Sequence, residues 1–154
     1  MSKQTFLIGI AGRSGSGKTE LARRLANWLP GETEMVSLDS YYHSLCHMTV
    51  DERATHNFDH PDSLDWAQIE NDLESLALGN TIDEPVYDFS THTRAARTRR
   101  IAPGRFVILE GILALHSARV RDALDWMIFV DTSDATCLAR RMARDIKERG
   151  RTEA

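Results

Sequence analysis

The octapeptide GRSGSGKT at residues 12–19 is the feature that most constrains how this chain can fold. The apolar, β-branched run TFLIGIA at residues 5–11 precedes it and predicts a buried strand. Residues 19–29 follow with apolar side chains at helical spacing and end at Pro30-Gly31. The octapeptide thus matches the pattern G-x4-G-K-[S/T] in the strand–loop–helix setting that this pattern requires. The sequence therefore predicts a phosphate-binding loop (P-loop) between a buried strand and a helix.

The residue types in this loop fit the binding of a nucleoside triphosphate. Glycines let the backbone wrap closely, so that successive N–H groups point at phosphate oxygens, and the helix N-terminus adds a partial positive charge. We expect Lys18 to reach the β- and γ-phosphates and the Thr19 hydroxyl to ligate Mg²⁺. The residues predicted to bind the nucleotide are Gly12, Arg13, Ser14, Gly15, Ser16, Gly17, Lys18 and Thr19. Because GTPases, ATPases and small-molecule kinases share this loop, it does not identify the phosphate acceptor.

Strands and helices alternate along the rest of the chain. Further strands are predicted at residues 34–38, 106–109 and 126–130, and further helices at 63–78, 117–124 and 134–149. Their apolar runs are continuous, which is typical of a parallel sheet covered on both faces, so the expected fold is a three-layer α/β/α protein with a mostly parallel sheet. Residues 81–104 add a small extended or hairpin insertion, and residues 40–61 form a long loop. Asp62 or Ser63 and Asp134 are expected to cap helices, and Trp28 and Trp126 to lie in the core.

The composition limits the classes of function. With 154 residues, 42% of them hydrophobic, the chain fits one globular domain. The net charge of −4 argues against nonspecific binding of nucleic acid, and no apolar run reaches the ~20 residues that a membrane-spanning helix needs. Two cysteines without a CxxC motif predict neither a disulfide framework nor a zinc site, and they favour the cytoplasm. Basic residues concentrate at 94–105 and 140–151, where they suit a bound polyphosphate or form solvated surface faces.

Three predicted strands are followed by or end in an acidic residue, namely Asp39, Glu110 and Asp131. Ligands in parallel α/β folds bind at the carboxyl ends of the strands, so these side chains are candidates for a metal site or a general base. A carboxylate at Asp39 could accept the proton of an attacking hydroxyl group, as a kinase base must. Alternatively, Asp39 only caps the end of its strand.

Five further motifs indicate a family. They are NFDHP at 57–61, PVYDFSTHTR at 85–94, ILEGIL at 108–113, FVDT at 129–132 and RRMARDIKERGR at 140–151. Together with the P-loop, in this order and spacing, they closely resemble the uridine kinase branch of the phosphoribulokinase/uridine kinase family of P-loop kinases. The resemblance runs from about residue 6 to residue 151 and implies the P-loop kinase fold. It also implies transfer of phosphate from ATP or GTP, with Mg²⁺, to the 5′-hydroxyl of uridine or cytidine, a step of pyrimidine salvage.

The resemblance implies roles for individual residues. Asp39 resembles the catalytic base, Lys18 and Arg144 are expected to act on the transferred phosphate, and Arg140 is expected to bind the nucleotide. The residues similar to those that hold Mg²⁺ are Thr19, Asp39 and Glu110. The residues similar to those that bind the nucleoside are Tyr42, Phe58, Asp59, Tyr87, His92, Arg141, Arg149 and Arg151.

Structural alternatives to these roles stay open at this point. Asp59 could be a turn residue before a proline-containing segment, Tyr87 a half-buried strand residue, and His92 a structural histidine. Arg140 could belong to a salt-bridged surface helix. For the whole chain, the alternatives are a related kinase for another small hydroxyl acceptor, of the pantothenate or ribulose 5-phosphate type, and a nucleotide-binding protein without turnover.

The resemblance also sets expectations for the chain as a whole. Residues 1–154 are expected to form a single P-loop nucleoside kinase domain. Members of the family normally continue past the RGR motif with a further strand and a helix, so we expect this sequence to lack the family's C-terminal segment. The expected partner is a pyrimidine nucleoside, with neither nucleic acid nor membrane, and the resemblance alone implies a homotetramer.

Overall fold

The computed structural model describes residues 2–148, which form six strands and five α-helices. The strands are β1 (Phe6–Gly12), β2 (Thr33–Ser37), β3 (Ile82–Asp88), β4 (Thr93–Ile101), β5 (Phe106–Glu110) and β6 (Trp126–Val130). The helices are α1 (Lys18–Trp28), α2 (Val50–Ala54), α3 (Trp66–Ala77), α4 (Ala118–Ala123) and α5 (Asp134–Glu148). Two 3₁₀ turns, Leu38–Tyr41 and Pro61–Ser63, lie in the long connections around α2.

Four strands form a parallel sheet in the order β2-β5-β1-β6. In this register Glu110, the last residue of β5, lies between Ser37 of β2 and Ile10 of β1. The carboxyl ends of these three strands therefore meet at one edge of the sheet. The P-loop leaves β1 at the same edge, which places its loop beside Glu110.

The sheet is covered on both faces, as the continuous apolar runs predict. Alternate side chains of a strand point to opposite faces. Leu7 of β1 packs in one apolar cluster with Leu73 of α3 and Val120 of α4, whereas Ile8 packs in a second cluster with Ala22 of α1. The predicted α/β architecture with a mostly parallel sheet between helices is confirmed.

Residues 82–101 form a separate antiparallel hairpin from β3 and β4, which confirms the predicted insertion. The register shifts between Pro85 and Tyr87, and His92 in the turn takes a left-handed backbone conformation with φ of 52°. Arg94 holds the hairpin against the connection after β2, because its guanidinium donates hydrogen bonds to the carbonyl oxygens of Tyr41 and Tyr42 at 3.1 and 2.7 Å. The hairpin is thereby fixed over the carboxyl edge of the sheet.

Two predicted helix caps are wrong. The helix α3 begins after Asp65, whose carboxylate accepts a hydrogen bond from the backbone N–H of Gln68, because Asp62 and Ser63 belong to a separate 3₁₀ turn. Asp134 is the first residue of α5, and the preceding Ser133 hydroxyl accepts from the backbone N–H of Thr136. The predicted end of this helix at residue 149 lies outside the described residues.

The prediction that Trp28 and Trp126 are core residues is also wrong. Trp28 ends α1 and is 81% exposed, and Trp126 lies on the edge strand β6 and is 56% exposed. Within residues 2–148, no strand pairs with the outer edge of β6. An apolar run in the sequence does not distinguish an edge strand from a central one, which is why the prediction for Trp126 is wrong.

Across the described part of the chain, every helix is too short or too polar to cross a membrane.

Candidate active site

The P-loop takes the conformation that its glycines allow. Gly15 and Gly17 have φ of 81° and 95°, in the left-handed region that other residues rarely adopt. A Cβ atom on Gly15 would also lie 2.4 Å from the carbonyl oxygen of Cys137. Helix α1 begins immediately after Gly17, so the N–H groups of its first turn lack intrahelical partners and point towards the loop. The local backbone therefore suits an anion at the helix N-terminus.

Basic side chains surround this loop. Lys18 is only 8% exposed, and its Nζ donates to the carbonyl oxygen of Arg13 at 3.4 Å. From α5, Arg140 donates to the carbonyl oxygen of Gly15 at 3.4 Å, and Arg144 donates to the Ser14 hydroxyl at 3.0 Å. The structure therefore brings together the loop and two of the arginines that the sequence assigned to phosphates. The guanidinium of Arg13 itself pairs with Asp134.

A buried carboxylate, Glu110, lies at the floor of the site. Its two oxygens accept hydrogen bonds from the Thr19 and Ser37 hydroxyls, both at 3.1 Å. Burial raises the pKa of Glu110 above its usual range, and the nearby charge of Asp39 raises it further, while Lys18 opposes both effects. A cation at this point would relieve the cost of ionising Glu110.

The oxygens at this point fit Mg²⁺. Thr19, Asp39 and Glu110 offer a hydroxyl and two carboxylates, the hard oxygen donors that Mg²⁺ prefers. Among residues 2–148, no group of three or more His, Cys, Asp or Glu side chains could hold a metal ion by itself. Proteins usually bind Mg²⁺ through one or two carboxylates together with substrate phosphates and water.

Asp39 lies on the 3₁₀ turn that directly follows β2. Its Oδ1 accepts a hydrogen bond from the Tyr42 hydroxyl at 3.3 Å. The side chain lines two adjoining cavities, so the role of a simple strand cap does not describe its surroundings. The third predicted strand-end acid, Asp131, is exposed and lines neither cavity.

The two cavities differ in size and lining. The first, of about 700 Å³, is the loop cavity, and its lining includes Lys18, Thr19, Glu110 and Arg140. The second, of about 140 Å³, is the aromatic cavity, and its lining includes Tyr42, Phe58, Asp59, Tyr87, His92 and Arg141. The residues that line both are Lys18, Asp39, Tyr87, Phe89 and Arg144. The two cavities therefore meet at Asp39 and Lys18.

Phe58 lies at the centre of a group of rings in the wall of the aromatic cavity. Phe58 contacts Tyr42 and Tyr87 edge to face, with ring centroids 5.1 and 6.1 Å apart, and it stacks on His92 at 5.7 Å. The Tyr87 hydroxyl is buried and has no hydrogen-bond partner in the described structure. Burial raises the pKa of Tyr87, so the hydroxyl keeps its proton as a donor at neutral pH. A buried donor without a partner is costly, so a water molecule or a ligand atom that accepts from this hydroxyl would stabilise the site.

The rim of the aromatic cavity carries an ion pair. Arg141 Nη1 lies 3.5 Å from Asp59 Oδ2, and both side chains are partly exposed. Asp59 thus forms an ion pair with Arg141 of α5 at the rim of the cavity, so it is more than a turn residue. The other predicted nucleoside-binding arginines, Arg149 and Arg151, lie outside the described residues.

Sequence reasoning missed several residues of the site. His56, Asn57 and Ile112 line the aromatic cavity, and Phe89 lines both cavities. Phe89 follows Tyr87 by two residues, so the strand period alone could have placed both rings on one face. His56 carries no such signal, because it lies in a connection without a period.

The comparisons with known proteins agree with this geometry. Residues 7–154 match the model of the Phosphoribulokinase / Uridine kinase family. The chain belongs to this family. Because members of the family are kinases, the chain is a kinase that uses a nucleotide as phosphate donor.

The individual relatives are named as uridine kinases. The chain is 42% identical over 153 residues to a uridine kinase of Streptococcus mutans. The matched residues cover 99% of this chain and 73% of that protein. A uridine kinase of Streptococcus pneumoniae is 40% identical over 153 residues, covering 99% and 72%.

Solved structures support the fold. A possible uridine kinase from Bacillus stearothermophilus superposes with a TM-score of 0.69 at 18% identity, covering 97% of this chain and 85% of the other. D-glycerate 3-kinase from Cryptococcus neoformans superposes with a TM-score of 0.65 at 16% identity, covering 98% and 73%. At these identities the likeness concerns the fold and not the substrate.

Proposed function

We propose that this chain transfers the γ-phosphate of ATP or GTP to the 5′-hydroxyl of uridine or cytidine and so produces UMP or CMP. The position of Asp39 carries the proposal, because this carboxylate lines both cavities beside Lys18. A nucleotide in the loop cavity and a nucleoside in the aromatic cavity would meet at this point. Holding the two reactants in this geometry is the main contribution an enzyme makes to phosphoryl transfer. The likeness to the streptococcal uridine kinases supports a pyrimidine nucleoside as acceptor.

On the donor side, the loop amides and Lys18 would hold the β- and γ-phosphates. Arg140 and Arg144 reach the loop from α5 and would stabilise negative charge on the transferred group. Thr19, Asp39 and Glu110 would hold Mg²⁺, which neutralises phosphate charge when it is bound. Electrostatic catalysis requires donors of this kind to be held in position by the protein.

On the acceptor side, Asp39 would accept the proton of the 5′-hydroxyl as this oxygen attacks the γ-phosphorus. The Tyr42 hydroxyl donates a hydrogen bond to Oδ1 of Asp39 at 3.3 Å and would orient this carboxylate towards the 5′-hydroxyl. Asp59 and Arg141 would bind the ribose hydroxyls, and Tyr87, Phe58 and His92 would enclose the pyrimidine ring. We propose that Arg149 and Arg151 close over the same substrates.

A panel of acceptors tests the proposal. Release of ADP from ATP should depend on uridine or cytidine, whereas pantothenate and ribulose 5-phosphate should be inert. Turnover with one of those two acceptors instead would identify a related kinase. Saturable nucleotide binding without turnover on any acceptor would identify a protein that only binds nucleotide.

The unpartnered Tyr87 hydroxyl gives a specific prediction for nucleoside binding. Tyr87→Phe should raise KM for uridine by roughly 3- to 10-fold, because a neutral hydrogen bond contributes about 1 kcal/mol. It should not lower the melting temperature of the ligand-free protein, since the hydroxyl has no partner in the described structure. Uridine kinetics and thermal melts of the variant measure both effects.

Tyr41→Phe is the matched control. The Tyr41 hydroxyl is buried but donates to Asp72 at 2.9 Å, and it lines neither cavity. This variant should lose stability and keep its KM for uridine. If Tyr87→Phe behaves like Tyr41→Phe, the aromatic cavity is not the nucleoside site.

The proposal also covers the domain organisation, the cellular location and the oligomeric state of the protein. We propose that residues 1–154 belong to one kinase domain, that the protein acts in the cytoplasm, and that it forms homo-oligomers. The first rests on the family match over residues 7–154 and the second on the cysteine content. The third rests on the family resemblance, and sedimentation velocity of the purified protein tests it.

A further inference from the structure

The hairpin carries an ion pair between a buried glutamate and a partly exposed arginine, and both residues contact the sheet below it. Glu84 of β3 is 2% exposed, and its Oε2 accepts a hydrogen bond from Arg99 Nε of β4 at 2.7 Å. Arg99 also donates to the carbonyl oxygen of Met35 in β2. A buried carboxylate is costly unless its oxygens are paired, and the second oxygen of Glu84 is paired as well.

The second oxygen connects the hairpin to the active site. Glu84 Oε1 accepts a hydrogen bond from the backbone N–H of Ser37 at 3.1 Å. The Ser37 hydroxyl donates to Glu110 Oε1 at 3.1 Å, and the other oxygen of Glu110 accepts from Thr19 at 3.1 Å. A continuous series of hydrogen-bonded residues therefore connects Arg99 to the first turn of α1. The series is Arg99, Glu84, Ser37, Glu110 and Thr19. Asp39 lies two residues after Ser37, on the same short segment.

The same hairpin also lines the aromatic cavity, which is the proposed nucleoside site. Tyr87 lies three residues after Glu84 on β3, and His92 lies in the turn. The ion pair thus joins the hairpin to the carboxyl end of β2. Its two side chains line the loop cavity.

We propose that Glu84 and Arg99 are positioning residues that set the orientation of Glu110 through Ser37. The inference rests on the proposed function, in which Glu110 and Thr19 hold Mg²⁺ with the nucleotide. Hydrogen-bond partners of a ligating carboxylate typically change metal affinity or activity by 10- to 100-fold when they are removed. Here the effect passes through one intervening residue, so we expect the lower end of that range.

The test measures binding without turnover. The probe is a non-hydrolysable ATP analogue, titrated by fluorescence with and without Mg²⁺ and in the absence of nucleoside. Glu84→Gln should raise the Mg²⁺ concentration for half-maximal binding by about 10-fold and should change Mg²⁺-free binding of the analogue much less. Arg99→Gln should have a similar effect, and the double variant should be no worse than either single one, because both act through the same contact.

The matched control is Glu70→Gln. Glu70 of α3 is also a largely buried glutamate that accepts from a serine hydroxyl and pairs with a partly exposed arginine, Arg119, at 2.8 Å. Glu70 lines neither cavity. This variant should lose stability without changing the Mg²⁺ midpoint.

Two outcomes separate this inference from the proposed function. If Glu84→Gln and Arg99→Gln lower the melting temperature like Glu70→Gln but keep the wild-type Mg²⁺ midpoint, the ion pair only stabilises the hairpin and the inference is wrong. If Glu84→Gln fails to fold, Arg99→Gln carries the test, since the Arg99 side chain is 49% exposed and its replacement disturbs the packing less. Absence of nucleoside phosphorylation by the wild-type protein would instead overturn the proposed function.

Discussion

Replacement of Asp39 by asparagine is expected to lower kcat for uridine phosphorylation by about 10²- to 10⁴-fold, the usual contribution of a general base. Asparagine has nearly the same shape and can still accept the hydrogen bond of the Tyr42 hydroxyl, which is 3.3 Å from Asp39 Oδ1. It cannot take the proton of the 5′-hydroxyl. The loss should therefore appear in kcat, whereas binding of the nucleotide, measured without nucleoside, should change by only a few-fold.

Asp62→Asn is the control for this variant. Asp62 is an exposed residue of the 3₁₀ turn Pro61–Ser63 and lines neither cavity, so its change should leave kcat at the wild-type value. Steady-state kinetics of the two variants make the comparison. An Asp39→Asn protein that turns over within a few-fold of wild type would show that Asp39 is not the base.

Replacement of Lys18 by methionine is expected to lower kcat by about 10²- to 10³-fold, because one preformed cationic donor to the developing charge is lost. Methionine keeps the length and apolar stem of the side chain, which is almost fully buried. The affinity for nucleotide should fall as well, because the ammonium group of Lys18 would contact the phosphates of the bound nucleotide before the reaction as well as during it. Rapid kinetics and nucleotide titrations distinguish the two effects.

Lys3→Met removes the same charge at a different place. Lys3 pairs with Asp125 at 2.7 Å and precedes β1, at the opposite end of that strand from the P-loop. Its loss should leave both kcat and nucleotide affinity unchanged. Equal effects of the two variants would mean that overall charge, rather than the position of Lys18, governs activity.

The parts of the site that the sequence predicted are those with a local signal. The P-loop is a continuous string, and Asp39 and Glu110 follow or end recognisable strands, so their positions follow from the strand order of a parallel sheet. The aromatic cavity was predicted from resemblance, because its wall combines Tyr42, Phe58 and the hairpin, which no single period connects.

The remaining parts depend on contacts between distant segments. Glu84 reaches Ser37 across 47 residues of sequence, and Arg94 reaches Tyr42 across 52, and neither pairing has a spacing that a sequence pattern could reveal. The exposure of Trp126 likewise depends on which strand forms the edge of the sheet. Local patterns predict elements and their ends, whereas the packing of the hairpin requires the folded structure.

The central claim is that Asp39 lies where a donor phosphate and a nucleoside 5′-hydroxyl meet. A single-turnover experiment with ATP labelled in the γ-phosphate, excess protein and unlabelled uridine tests it most directly. The label should appear in UMP, and its appearance should keep pace with the loss of labelled ATP. Asp39→Asn should slow this step while still binding ATP. Label that appears only as inorganic phosphate, or remains in ATP when both ligands are bound, would contradict it.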